Sequence, residues 1–153
     1  MTYVMKDIGV PISNADITKL QSKLKLHLPE EYKSFLKKFN GGRPVPKFFQ
    51  IGPKTDNTTG QVLDFFGIDD PIESCRLDWN YKVFSERMPN EFFPIACEDG
   101  GNVICLCLST ENFGSVYYWD HGGETTPPTF SNVYKLALTL NQFLDELFSN
   151  GDA

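Results

Sequence analysis

The stretch Phe92-Phe93-Pro94-Ile95-Ala96-Cys97-Glu98-Asp99-Gly100-Gly101-Asn102-Val103-Ile104-Cys105-Leu106-Cys107-Leu108, with Ser115-Val116-Tyr117-Tyr118-Trp119-Asp120-His121 after it, decides how this chain must fold. Three apolar runs, divided first by an acidic Gly-Gly turn and then by a polar turn, read as consecutive antiparallel strands joined by hairpins. Side chains alternate along a strand, so Val103, Cys105 and Cys107 point to one side and Ile104, Leu106 and Leu108 to the other. Both faces are apolar. Such a strand belongs inside a sheet covered on both sides, and helices elsewhere must supply the cover.

Upstream, Ser13 or Asn14 offers a capping oxygen, and Ile17, Leu20 and Leu24 recur at helical spacing, which predicts a helix from about Ala15 to Lys25. A second helix is marked more strongly. Pro29 suits a first helical position, Glu30 and Glu31 complement the positive end of the dipole, and Lys37 and Lys38 the negative end. Tyr32, Phe35, Leu36 and Phe39 form one stripe that reads as a packing face, and Asn40-Gly41-Gly42 supplies a left-handed stop. Residues Met1 to Pro11 read as a lead-in with room for one short strand. Arg43-Pro44-Val45-Pro46 cannot continue the helix and leads into a strand at 47–51, which pairs as Phe48–Ile51 with Val62–Phe66 across a polar loop from Gly52 to Gly60.

Asp69-Asp70-Pro71 breaks the return strand. Helix is expected over part of Ile72 to Met88, where Leu77, Tyr81 and Phe84 share a face from which Trp79 departs. After the three core strands, a loop from Gly122 to Ser131 precedes a closing helix from about Val133 to Phe148, buried through Leu136, Leu140, Phe143, Leu144 and Leu147; the tail Ser149 to Ala153 is expected to fray. The sum is one α+β domain over residues 1–153: a mainly antiparallel twisted sheet with two N-terminal helices, a middle helix and a C-terminal helix packed on it.

A net charge of −6 in 153 residues argues against binding nucleic acid, which needs a basic field to neutralise phosphates; it favours a basic partner or simple solubility. The sequence shows no signal-peptide pattern and no apolar run near the ~18 residues of a membrane span, so a cytoplasmic protein without a membrane role is expected. Asn57-Thr58-Thr59 fits a glycosylation pattern that means nothing without secretion. Cys75, Cys97, Cys105 and Cys107 lack paired C-x-x-C spacing and read as small hydrophobes in a reducing compartment, although Cys105 and Cys107 share a face and are placed to touch Cys97 across the hairpin.

Three segments, Leu28-Pro29-Glu30-Glu31-Tyr32-Lys33-Ser34-Phe35-Leu36 running to Asn40-Gly41-Gly42, then Phe93-Pro94-Ile95-Ala96 with Gly101-Asn102, then Val116-Tyr117-Tyr118-Trp119-Asp120-His121, resemble the SUKH superfamily in wording, order and spacing. The resemblance spans nearly the whole chain. It implies a non-enzymatic binding domain with no cofactor, no metal and no catalytic residues to transfer. Bacterial members of that family are thought to be immunity proteins that bind and neutralise the toxic domain of a cognate toxin, often a nuclease or a deaminase. Fungal members are Knr-type adaptors in cell-wall and signalling pathways. A short chain without long disordered arms looks more like the bacterial kind.

The residues themselves offer one enzyme reading. His121, beside Asp120 and near Glu124, could ligate a metal or shuttle a proton as in a small metal-dependent hydrolase, but no HExxH, Cys-His or Ser-His-Asp grouping supports it. Gly100-Gly101 precedes a strand rather than a helix and is a hairpin turn. The acidic residues form three groups: Asp69, Asp70 and Glu73 before the middle helix, Glu98 and Asp99 at one hairpin turn, and Asp120 and Glu124 after the last core strand. Brought together by the fold, they make a negative surface able to meet a basic cleft; kept apart, they are a solvated rim. Trp79, Tyr81 and Trp119 are the candidate aromatic anchors, with core packing the competing reading for Tyr81 and Trp119.

Overall fold

A computed structural model describes residues 2–53 and 58–150. Part of the expected loop from Gly52 to Gly60, Asn57 of the glycosylation pattern, Met1 and the end of the expected frayed tail lie outside the described residues.

The chain opens with β1 (Val4–Lys6) and α1 (Asn14–Leu24). Ser13 caps α1 through a reciprocal box, in which its hydroxyl accepts from Asp16 N–H and the Asp16 carboxylate accepts from Ser13 N–H. The second helix, α2 (Glu30–Phe39), starts one residue later than the dipole and proline signals indicate: Pro29 is the flanking residue, with ψ 144°, and Glu30 is the first helical one. It ends at Asn40 in the left-handed region, with φ 47°.

Arg43–Val45 forms β2, a strand that the prolines on either side of Val45 disguised; it pairs antiparallel with β1 in a separate two-stranded sheet. The main sheet has six strands in sequence order: β3 (Phe48–Gln50), β4 (Thr59–Phe65), β5 (Phe92–Glu98), β6 (Val103–Cys107), β7 (Val116–Trp119) and β8 (Val133–Ala137). Every neighbouring pair is antiparallel, so the architecture is the expected α+β one. The first hairpin forms, but in a different register: Phe48 faces Gln61 and Gln50 faces Thr59, which frees the second half of β4 to pair with β5.

The middle stretch is two short pieces, a single turn at Glu73–Cys75 and α3 (Leu77–Phe84), with Arg76 extended between them. Gly67 causes the break. Its N–H donates to Cys75 O and its carbonyl accepts from Leu77 N–H, so Arg76 is held as a bridge rather than a turn of helix.

The expected closing helix from Val133 to Phe148 is wrong in its first half. Val133–Ala137 is strand β8, completing the sheet beside β7, and only Leu140–Asp145 is helix, α4, capped by the Thr139 hydroxyl. The exposed edge of β7 and the strand-forming Val133-Tyr134 override the leucine spacing, and Leu136 is half-buried on the strand while Leu140, Phe143, Leu144 and Leu147 are buried as expected.

The two-faced reading of β6 holds. Ile104 and Leu106 join a large core under α1, α2 and α4, with Ile17, Tyr32, Leu36, Phe93 and Phe143. Val103, Cys105 and Cys107 join a smaller core on the other face with Met88, Phe92 and Trp119, covered by Phe84 at the end of α3. Cys97 does not join its fellow cysteines. It packs against the large core, on the side of Phe93 and Ile95, its thiol donating to Asp64 O, and the β5–β6 register shifts between Pro94 and Ala96 just before it.

Candidate functional site

The end of the sheet at which β5 turns into β6 and β7 ends gathers several of the residues singled out by sequence. Glycines make the turn possible, because Gly100 and Gly101 have φ of 109° and 87°. Asn102 then braces the turn against the end of β7. Its Oδ1 accepts from His121 N–H at 3.0 Å and lies 2.6 Å from His121 Nδ1, while its Nδ2 reaches Glu98 Oε2 at 3.4 Å. Tyr118, two residues before Asp120 and so on the same face of β7, donates its hydroxyl to Glu98 Oε1 at 3.5 Å. Gln61 of β4 adds the third side: its carbonyl accepts from Asp99 N–H and its Nε2 donates to Asp99 Oδ2 at 3.4 Å.

Within this frame Asp99 is exposed, Asp120 is half-buried and Glu98 is only 6% exposed. Glu98 is therefore a sheet residue and not part of an exposed turn. Burial pushes its carboxyl up from the ordinary range, and the nearby charges of Asp99 and Asp120 push it further. Burial also raises the Tyr118 hydroxyl, with Glu98 as the next cause. None of Glu98, Asp99 and Asp120 has a salt bridge among the described residues, so this end of the sheet concentrates carboxylates without a compensating cation.

Glu124 differs. It follows the single helical turn at His121–Gly123 and forms a two-pronged pair with Arg87, Nε and Nη2 each 2.9 Å from a carboxylate oxygen, which holds its carboxyl below the usual range. Arg87 in turn stacks over Phe84 and Trp119, closing the smaller core.

Asp69, Asp70 and Glu73 lie elsewhere. Because β4 runs antiparallel to β5, with Val62 at Glu98 and Phe66 N–H on Ile95 O, the chain after Ile68 emerges toward the Phe92 end, opposite Glu98. Asp70 is occupied with local structure, its carboxylate accepting from Ile72 N–H and its carbonyl from Arg76 Nε at 2.6 Å. Trp79 is half-buried in a cleft of about 490 Å³ between α1 and α3, beside Leu24, Arg76, Tyr81 and Lys82. A Lys23–Asp78 pair at 2.6 Å spans the mouth of that cleft. The eight sequence candidates thus fall into two regions and an ion pair rather than one surface. Asn102, Tyr118 and Gln61, which build the acidic end, were missed because each carries a signal only once the strand register is known, and His121, singled out for a metal or a proton, serves here as the partner of Asn102.

Chemically, the acidic end can present negative charge and accept hydrogen bonds. No nucleophile is placed against a base there, and among the described residues no three His, Cys, Asp or Glu side chains are grouped to hold a metal ion. No helix of the described residues is long and apolar enough to cross a membrane.

The family described as SMI1 / KNR4 family (SUKH-1) matches residues 11–146, and that family is generally non-catalytic. The SPbeta prophage-derived uncharacterized protein YokK of Bacillus subtilis (strain 168) is 30% identical, over 88% of this chain and 74% of that protein.

Proposed function

Because this chain belongs to the SMI1/KNR4 family (SUKH-1), we propose that it is a cytoplasmic immunity protein that neutralises a cognate toxin domain by stoichiometric binding rather than by catalysis. The observation that carries the reading to a mechanism is the unpaired acidic end of the sheet. Asp99 and Asp120 stand at its surface with Glu98 behind them, and a toxin acting on nucleic acid has a basic cleft that such a surface can enter in place of phosphates. Asp69, Asp70, Glu73 and Trp79 form a second contact region at the other end, and Glu124 contributes through its pair with Arg87 by fixing the loop after β7. A relative described as prophage-derived fits the reading.

The test is co-expression with the toxin domain encoded beside this gene. Growth rescue and recovery of a one-to-one complex are expected. Reversing Asp99 and Asp120 to lysine should slow association at least tenfold at low salt and flatten its salt dependence. Binding that is unchanged by the reversal would remove the acidic end from the interface. No rescue and no complex with a toxin of proven activity would remove the immunity role itself.

A further inference from the structure

The six strands leave two edges, β3 and β8, and the sheet curls until both border one cavity. Phe49 of β3 reaches Tyr118 of β7 and Phe143 of α4, with ring centroids 6.0 Å and 5.5 Å apart. The cavity, about 550 Å³, has Gln50 on one side, Lys135 and Leu136 on the other, and Phe49, Phe143 and Phe148 as apolar floor.

Backbone accounting shows what the two sides offer. Val62 N–H donates to Lys47 O and Ile51 N–H to Thr58 O, so Lys47, Phe49 and Ile51 turn their peptide groups toward β4 while Phe48 and Gln50 turn theirs outward. Phe48 is already satisfied: it exchanges both bonds with Phe148, at 3.1 Å and 3.0 Å, in an antiparallel bridge. Gln50 has no such partner among the described residues. On the opposite side, Asp120 N–H donates to Asn132 O, and the same phase turns Tyr134 toward Tyr118 and leaves the N–H and C=O of Lys135 facing out, while the Val133 N–H is already taken by Phe130 O at 3.2 Å.

The N–H and C=O of Gln50 on one side and of Lys135 on the other thus border one apolar-floored slot, each residue offering one positive and one negative partial charge. The complement of that charge pattern is the backbone of an extended polypeptide, which carries the same alternation along each of its edges. We propose that the slot receives an extended segment of the protein partner, added as a strand against β8 and the free end of β3. The inference rests on the partner-binding function above. Residues alternating along the segment would place apolar side chains on Leu136 and Phe143 and polar ones toward solvent. Phe148, bonded to Phe48 in the same manner, shows that the β3 edge accepts such pairing.

Proline discriminates the proposal cleanly, because Lys135→Pro deletes an outward N–H that no strand of the sheet uses. The thermal midpoint should therefore hold, while affinity for the toxin domain encoded beside this gene falls about tenfold, and about the same again with Gln50→Pro. Lys135→Ala, which keeps the N–H, should bind as the parent does. Hydrogen exchange provides a second readout: the Gln50 and Lys135 amides should exchange fast in the free protein and slow at least tenfold in the complex. Full affinity in both proline variants, or no added protection of these amides, would overturn the slot while leaving the immunity role standing. Loss of binding in Lys135→Ala would assign the effect to charge and overturn it too. A concentration-dependent dimer abolished by Lys135→Pro would give the slot to a second copy instead, and absence of any complex would overturn slot and function together.

Discussion

Asn40 offers the sharpest test of how this fold is held. It is 2% exposed and ends α2 in the left-handed region, and its carboxamide ties together three separated segments. Nδ2 donates to Val10 O at 2.9 Å and Ile68 O at 3.0 Å, and Oδ1 accepts from Ile68 N–H at 2.7 Å. The packing leaves no slack, since a Cβ on Gly9 or Gly67 would lie 2.2 Å or 2.4 Å from the Asn40 carbonyl oxygen. Asn40→Ala orphans three backbone groups, two of them buried, at about 1–3 kcal/mol each, and adds about 1 kcal/mol for alanine in a left-handed conformation. Allowing for water entering the space vacated, the loss should be about 4 kcal/mol. Urea denaturation should read this as a fall of about 2 M in midpoint at unchanged slope. Asn40→Gly removes the same bonds without the backbone strain and should recover about 1 kcal/mol of the loss. Asn40→Asp keeps the acceptor for Ile68 N–H but sets carboxylate oxygens against two carbonyls, so at neutral pH it should fare no better than alanine and should improve on acidification. A loss under about 1.5 kcal/mol for Asn40→Ala, or glycine equal to the parent, would refute the account of Asn40 as a three-way tie.

Because the folded Glu98 carboxyl titrates above its unfolded range, its contribution is fully present below the ordinary glutamate value of about 4.3 and is lost as pH rises through the folded value. Glu98→Gln should therefore gain on the parent as pH climbs from 4 to 8, and thermal melts showing the opposite trend would exclude a buried, strained carboxylate. Leu106→Ala, at a fully buried position in the large core, should cost about 3 kcal/mol by the same urea assay. The Cys105 thiol is pushed up by burial and then by Cys107, so Cys105 should resist iodoacetamide until the protein unfolds, while Cys75, half-buried, reacts earlier; peptide mass mapping gives the order.

What could be read in the sequence was whatever a local pattern enforces. The three core strands, the two faces of β6, the stripe of α2 and the Ser13 cap all rest on spacing and hydrogen-bonding preferences within a few residues. The failures lie where a distant partner decides. Val133–Ala137 carries leucine spacing that suits either helix or strand, and the unpaired edge of β7 settles it as strand. Arg43–Val45 is too short and too rich in proline to declare itself without β1 alongside. Cys97 packs with Phe93 and Ile95 against the large core instead of beside Cys105 and Cys107, because the pairing of β5 with β6, register shift included, is not written in either strand alone. The candidate site was legible as a list of acids but not as a place. Asp99 and Asp120 meet because β6 lies between β5 and β7, whereas Asp69 and Asp70 are carried to the far end by the direction of β4. Asn40-Gly41-Gly42 was recognisable as a helix stop, but nothing local showed that Asn40 would also secure Val10 and Ile68.

The two tryptophans fall on opposite sides of this division of the molecule, one sealed within the smaller core under Phe84 and Arg87, the other half-buried in the cleft beside α1. The chain therefore carries two built-in emitters of different colour. Trp119, shielded from solvent, should emit toward the blue and shift only when the fold opens, whereas Trp79 should emit further red and respond to whatever enters its cleft. With Trp79→Phe the remaining emission becomes a clean gauge of unfolding, and the difference spectrum isolates the cleft without any attached label.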